Sequence, residues 1–156
     1  PEDLLDLEQP FLTVYTQLQE KWQAQQSQPT YTGLIHGDLH AGNLIAQNNR
    51  LIAFDFDDAH HGWWTQDIAI VMYYLRRNFE ALNQDFAAKH QQILLESYQE
   101  HRPLPPDFEE DLALFLRWRD WQLLCFLLAR FKTWAQFPPD AQKAYHKILQ
   151  RLRQAH

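Results

Sequence analysis

The chain has 156 residues, 46% of them apolar and 14% aromatic, with six Trp, one Cys and a formal charge of −6 at pH 7. This composition builds a packed core and excludes a disordered or low-complexity chain. The acidic balance disfavours nucleic acid as a partner, because phosphate contacts need clustered Lys and Arg. The most apolar stretch, residues 123–129, is too short to span a bilayer.

The length suits one domain, residues 1–156, with a sizeable core. No signal-peptide pattern opens the chain, and the single Cys125 cannot form an internal disulfide, so the expected setting is cytoplasmic. Cys125 lies in an apolar run and reads as a buried, inert thiol. The chain starts at Pro1 rather than Met, which is compatible with a piece of a longer protein.

In chain order, Pro10 fits a first helical turn, and Phe11, Tyr15, Leu18 and Trp22 follow at helical spacing. The spacing predicts an amphipathic helix over 9–27, broken by the segment 29–33. Two short apolar runs, 44–46 and 51–54, flank Asn48-Asn49-Arg50 and predict a β-hairpin. A three-residue turn sets Gln47 opposite Leu51 and therefore Asn43 opposite Asp55, with both side chains on one face. A two-residue turn would shift the register and break that pairing. Asp67 reads as the N-cap of a helix whose buried face carries Ile68, Val71, Met72 and Leu75. His60-His61 and Trp63-Trp64, between hairpin and helix, read as an exposed loop or lid packing. Further helices are expected over 84–101, 107–134 and 139–154, punctuated by Pro103 to Pro106 and Pro138-Pro139. The span 107–134 is either one bent helix or two. Its stripe through Leu114, Trp118, Trp121, Cys125 and Leu128 reads as core, and its acidic start (Asp107, Glu109, Glu110, Asp111) suits the helix dipole. The alternative for Trp118 and Trp121 is an aromatic wall for a quaternary ammonium. The expected fold class is α+β, mostly α-helical, with one small hairpin beside a polar cluster.

That cluster is LIHGDLHAGNLI, residues 34–45. An amide oxygen from Asn43 and a carboxylate from Asp55 are hard oxygen ligands suited to Mg²⁺, with water and phosphate oxygens completing the shell. A carboxylate beside such a site, here Asp38, is placed to orient a hydroxyl and accept its proton.

His36-Gly37-Asp38, four residues and then Asn43 resemble the protein-kinase catalytic loop, with Gly37 in place of its Arg. Asp55-Phe56 resembles the start of the D-F-G segment, with Asp57 where Gly would stand. HGDLHAGN followed by a strand ending in DFDD is similar to the aminoglycoside phosphotransferase and choline-kinase-like family, and Asp67-Ile68-Ala69 looks like the family's helix-opening aspartate. The resemblance covers residues 34–71 closely. It implies the C-terminal lobe of a protein-kinase-like fold, with the hairpin as its catalytic element, and ATP- and Mg²⁺-dependent transfer of a γ-phosphate to the hydroxyl of a small molecule. Asp38 would be the catalytic base or hydroxyl-orienting group, Asn43 and Asp55 would bind Mg²⁺, His36 would brace the loop, and Asp67 would hold it from behind. Asp57 and Asp58 divide between tuning a second metal and capping a turn. His40 divides between a site role and a solvated loop.

A kinase of this class also needs a glycine-rich loop over the phosphates and a strand lysine paired to a helix glutamate. Gly33, Gly37, Gly42 and Gly62, all the glycines present, form no such loop. The expectation is that the N-terminal, nucleotide-holding lobe is absent from this chain, which alone would be weak or inactive. The partners implied are the nucleotide, a hydroxyl-bearing small molecule and that missing lobe. The stretch FDFDDAHHGWWTQDIA also resembles a bacterial stress-response Ser/Thr kinase branch of the same fold, the second choice for the acceptor. A non-catalytic substrate-binding fragment is a further alternative. Gly37-Asp38-Leu39-His40 superficially resembles a metallophosphoesterase G-D-x-H segment, but no later G-N-H-[DE] segment supplies a second metal's ligands.

Overall fold

The computed structural model describes residues 2–25, 29–77 and 84–154. Five α-helices are described: α1 Glu8–Gln25, α2 Trp64–Leu75, α3 Gln84–Gln99, α4 Phe108–Arg130 and α5 Pro139–Gln154. Four short strands accompany them: β1 Thr32–Ile35, β2 Leu44–Gln47, β3 Arg50–Ala53 and β4 His60–Trp63. They form two antiparallel pairs, β1 with β4 and β2 with β3. No described helix is long and apolar enough to cross a membrane.

The chain divides into two compact units, Gln28–Leu116 and Pro1–Ser27 with Arg117–His156. The first holds both strand pairs, α2, α3 and the start of α4. Its buried centre is α2, where Ile68, Ala69, Ile70, Met72 and Tyr73 are buried. Apolar residues occupy most sides of this helix, as expected of one surrounded by other elements. Burying side chains the size of Ile70 or Met72 contributes about 1.5–3 kcal/mol each. Trp63, at the end of β4, packs on Phe115 of α4 with ring centroids 5.6 Å apart.

In the second unit, Val14 of α1 and Trp121, Leu124 and Leu127 of α4 are buried, as are Tyr145, Ile148, Leu149 and Leu152 of α5. The edge of Phe11 meets Trp121 at 5.2 Å between centroids. Buried Asp120 receives the Arg151 guanidinium on both carboxylate oxygens, which supplies the partner a buried charge requires.

The predicted helices form, with altered details. The first occupies 8–25, and residues 26–27 lie outside the described residues. Of its expected apolar face, Phe11 and Leu18 are half-buried, whereas Tyr15 and Trp22 are exposed and Val14 takes the buried position. α4 is a single helix ending at Arg130. Cys125 is exposed, not buried: the buried line through Trp121, Leu124 and Leu127 steps by three, which leaves a residue four after Trp121 at its margin. His60 to Trp63 is a strand, not a loop. It pairs with β1 in the register Thr32↔Trp63 to Ile35↔His60. His60 and His61 are exposed, Trp63 is buried, and the half-buried Trp64 opens α2 with the Arg102 guanidinium 4.0 Å from its ring centre.

The hairpin turn has two residues, not three. Gln47 pairs with Arg50, and Asn48 and Asn49 take φ of 50° and 59°. Positive φ at both central positions is the primed-turn geometry that matches strand twist, and Asn tolerates it better than most residues. The register therefore carries Leu44 to Ala53 and puts Asn43 opposite Phe54, not Asp55. The Phe54 N–H donates to the Asn43 carbonyl at 3.1 Å, continuing the ladder by one step.

Candidate active site

β1 delivers the chain to His36, and the polar loop runs from there to a 3₁₀ turn, Ala41–Asn43, that leads into β2. The anchor of this loop is Asp67. It is not an N-cap: α2 starts at Trp64, and Asp67 lies in its first turn. Its Oδ2 accepts the His36 backbone N–H at 2.8 Å and its Oδ1 the Gly37 backbone N–H at 2.9 Å. Both carboxylate oxygens thus hold consecutive amides of the loop, and such charge-assisted bonds are roughly twice as strong as neutral ones.

Between those amides the chain makes a turn open only to glycine. Gly37 has φ of +80°, and a Cβ there would lie 2.3 Å from the Asp58 carbonyl oxygen. The kinase arginine is therefore excluded at this position by backbone geometry.

His36 is buried, and its Nε2 donates to the Phe54 carbonyl at 3.0 Å. A carbonyl only accepts, so Nε2 carries the proton. Nδ1 is buried and has no hydrogen-bond partner among the described residues. The ring packs on Phe56, with centroids 4.6 Å apart.

Asp38 and Asn43 are tied together: Asn43 Nδ2 donates to the Asp38 backbone carbonyl at 3.0 Å, and the Asn43 backbone N–H donates to the His40 carbonyl at 2.9 Å. The amide nitrogen is committed to the loop, which leaves Asn43 Oδ1 as the acceptor that could face a cation. Asn43 is buried, and Asp38 is half-buried. His40 Nε2 lies 3.5 Å from Asp38 Oδ2.

Asp55 is exposed, immediately beyond the last ladder step, with φ of 63°. A non-glycine residue in this region costs free energy and clusters at functional sites. Asp57 and Asp58 are exposed in a turn closed by the Ala59 N–H on the Phe56 carbonyl at 3.0 Å. The Asp58 carbonyl also accepts from His60 Nδ1 at 2.7 Å. Among the described residues no group of three or more His, Cys, Asp or Glu side chains converges as a metal cage. Asn43 Oδ1 and the Asp55 carboxylate are hard oxygens of the kind that hold a cation completed by phosphate oxygens and water, but the two-residue turn sets them one position out of register rather than directly opposite.

Tyr74 belongs to the site and stands in no motif. Its ring packs on His40 with centroids 4.6 Å apart. The sequence signal for it is its spacing: seven residues after Asp67, it shares the face of α2 turned to the loop.

A helix-rich unit with a clamped H-G-D loop, a two-strand hairpin and an aspartate just beyond it has the architecture of a kinase-like phosphotransferase fold. The comparisons agree. Residues 1–104 match APH, the phosphotransferase enzyme family. The chain is 34% identical over 96 residues to amicoumacin kinase of Bacillus subtilis (strain 168), covering 60% of this chain and 28% of that kinase. It is 33% identical over 127 residues to homoserine kinase of Bartonella henselae, covering 75% of this chain and 37% of that one. The structure of amicoumacin kinase hAmiN in complex with AMP-PNP, Ca²⁺ and Ami has the same fold, with a TM-score of 0.68 at 23% identity over 91% of this chain and 44% of that one. The chain belongs to the APH phosphotransferase family, and it spans less than half the length of these relatives.

Proposed function

We propose that this chain is the catalytic and acceptor-binding half of an ATP-dependent kinase that phosphorylates a hydroxyl group of a small molecule. The observation that carries the reading is the linkage of Asp38 and Asn43. The Asn43 side chain fixes the backbone of Asp38, and its own backbone continues the hairpin ladder one step short of Asp55.

In this reading Asp38 orients the acceptor hydroxyl and takes its proton as the oxygen bonds to the γ-phosphorus, while the bond from that phosphorus to the β-phosphate oxygen breaks and ADP leaves with the electron pair. Asn43 Oδ1 and Asp55 are the oxygen donors that would hold Mg²⁺, which would supply positive charge to offset the negative charge of the phosphate oxygens. Asp67 and His36 hold the loop so that Asp38 is in place before substrate arrives, which shifts ordering cost away from the reaction step. Asp57 and Asp58 serve the turn that seats Gly37.

A small acceptor is favoured because the relatives are named for two unlike small molecules, amicoumacin and homoserine. Transfer is favoured over metallophosphoesterase hydrolysis because, among the described residues, no group of three or more His, Cys, Asp or Glu side chains converges as two-metal hydrolysis requires. A nucleotide-holding half outside this chain is favoured by the apolar surface around the site. Leu51 is 71% exposed, with Ile52, Phe54 and Phe56 exposed beside it in sequence, and such a run on one small hairpin region suits a covering partner.

The test is an assay of the longest natural protein containing this chain, with ATP and a divalent cation, against small hydroxyl compounds and a protein-serine substrate. ADP release that depends on a small hydroxyl compound is expected. Transfer to protein serine alone, or nucleotide-independent hydrolysis of phosphate esters, would contradict the proposal.

A further inference from the structure

His40 is held on three sides. The Gly42 N–H donates to its Nδ1 at 2.9 Å. Tyr74 covers its ring with centroids 4.6 Å apart. Gly42 itself leaves the space the ring uses, since a Cβ there would lie 2.6 Å from His40 Cε1 and 2.9 Å from Nδ1. A nitrogen that accepts a backbone N–H bears no proton, so the neutral ring carries its proton on Nε2. That Nε2–H lies 3.5 Å from Asp38 Oδ2. The distance is long for a hydrogen bond, as catalytic contacts often are before substrate closes the site.

We infer that His40 is a positioning residue for Asp38: the loop locks the Nε2–H tautomer and aims it at Oδ2, which sets the orientation of the carboxylate toward the acceptor hydroxyl. The inference rests on the reading of Asp38 as the group that receives the acceptor proton. His40 itself neither gives nor takes a proton in the transfer. It fixes the orientation of the carboxylate that meets the nucleophile, and Gly42 and Tyr74 are the seat that makes the ring rigid enough to do so. A histidine serving only as the cap of the 3₁₀ turn would need Nδ1 alone.

Two substitutions separate these roles in the longest natural protein containing this chain. His40→Asn keeps an acceptor near Nδ1 for the Gly42 N–H and removes the Nε2 donor. His40→Gln keeps a donor near Nε2 and removes the cap. The expectation is that His40→Asn lowers kcat on the order of 10–100-fold with substrate KM values and melting temperature unchanged, and that His40→Gln recovers part of kcat while melting earlier. Wild-type kcat in His40→Asn overturns the inference. Asp38→Asn in parallel keeps the two levels apart: if it is inactive while His40→Asn is fully active, only the positioning role fails, and if it is fully active, both readings fail. Nitrogen NMR of labelled histidine gives a readout independent of turnover. A bare Nδ1 and protonated Nε2 for His40 are expected, and a proton on Nδ1 overturns the inference.

Discussion

The His36 imidazole donates through Nε2 to the main-chain carbonyl of Phe54 across 3.0 Å. That bond ties the residue entering the H-G-D loop to the residue leaving the hairpin, one position before Asp55. It makes two segments eighteen residues apart a single structural unit.

Replacing His36 with Ala removes a buried ring and strands the Phe54 carbonyl. A loss of about 2–4 kcal/mol is expected, read as a lower urea midpoint at constant m-value. A change below a few tenths of a kcal/mol would show that the bond does not organise the loop.

Asp67→Asn leaves only one acceptor oxygen for two amides and turns an N–H toward the other. The expected loss is about 1–3 kcal/mol. Hydrogen exchange at His36 and Gly37 should rise in this variant more than at residues within α2. Equal protection at both amides in mutant and wild type would contradict the clamp.

The two-residue turn makes its own prediction. Asn49→Gly relieves the left-handed backbone and should hold or raise stability, whereas Asn49→Val should cost about 1–2 kcal/mol. Thermal denaturation of the pair distinguishes this turn from a three-residue one, in which a β-branched residue would be tolerated at position 49.

Tyr98 gives a prediction in alkali. Burial raises its pKa above the ordinary value of 10.0, nearby Arg102 opposes the rise, and Asp67 adds to it. The folded state therefore keeps the phenolic proton to higher pH than the unfolded state. The stability this contributes is fully present below pH 10.0 and is lost as pH rises through the raised folded value. An absorbance titration of wild type against Tyr98→Phe should show Tyr98 ionising after free tyrosine, and Asp67→Asn should move it downward. Ionisation of Tyr98 together with exposed tyrosines would contradict this.

The sequence carried the helices well, because apolar spacing and paired prolines mark them directly, and it carried the site motifs through residue types with few other uses at that spacing. Other features depended on tertiary context. Asn48-Asn49-Arg50 suits a turn of two or three residues, and only the left-handed backbone at both asparagines decides the register that parts Asn43 from Asp55. The strand His60–Trp63 has no alternating apolar pattern. It forms because its partner β1 lies alongside and Trp63 finds a core. Asp67 looked like a cap because its residue type favours one, but two loop amides compete for the same oxygens and win.

The most direct test of the central claim is Asp38→Asn in the longest natural protein containing this chain, assayed for acceptor-dependent ADP release at saturating nucleotide. The structure-based expectation is a fall in kcat of about 10²–10⁴, with the nucleotide KM and melting temperature little changed. Wild-type kcat in that variant would contradict the assignment of this loop as the phosphotransfer site.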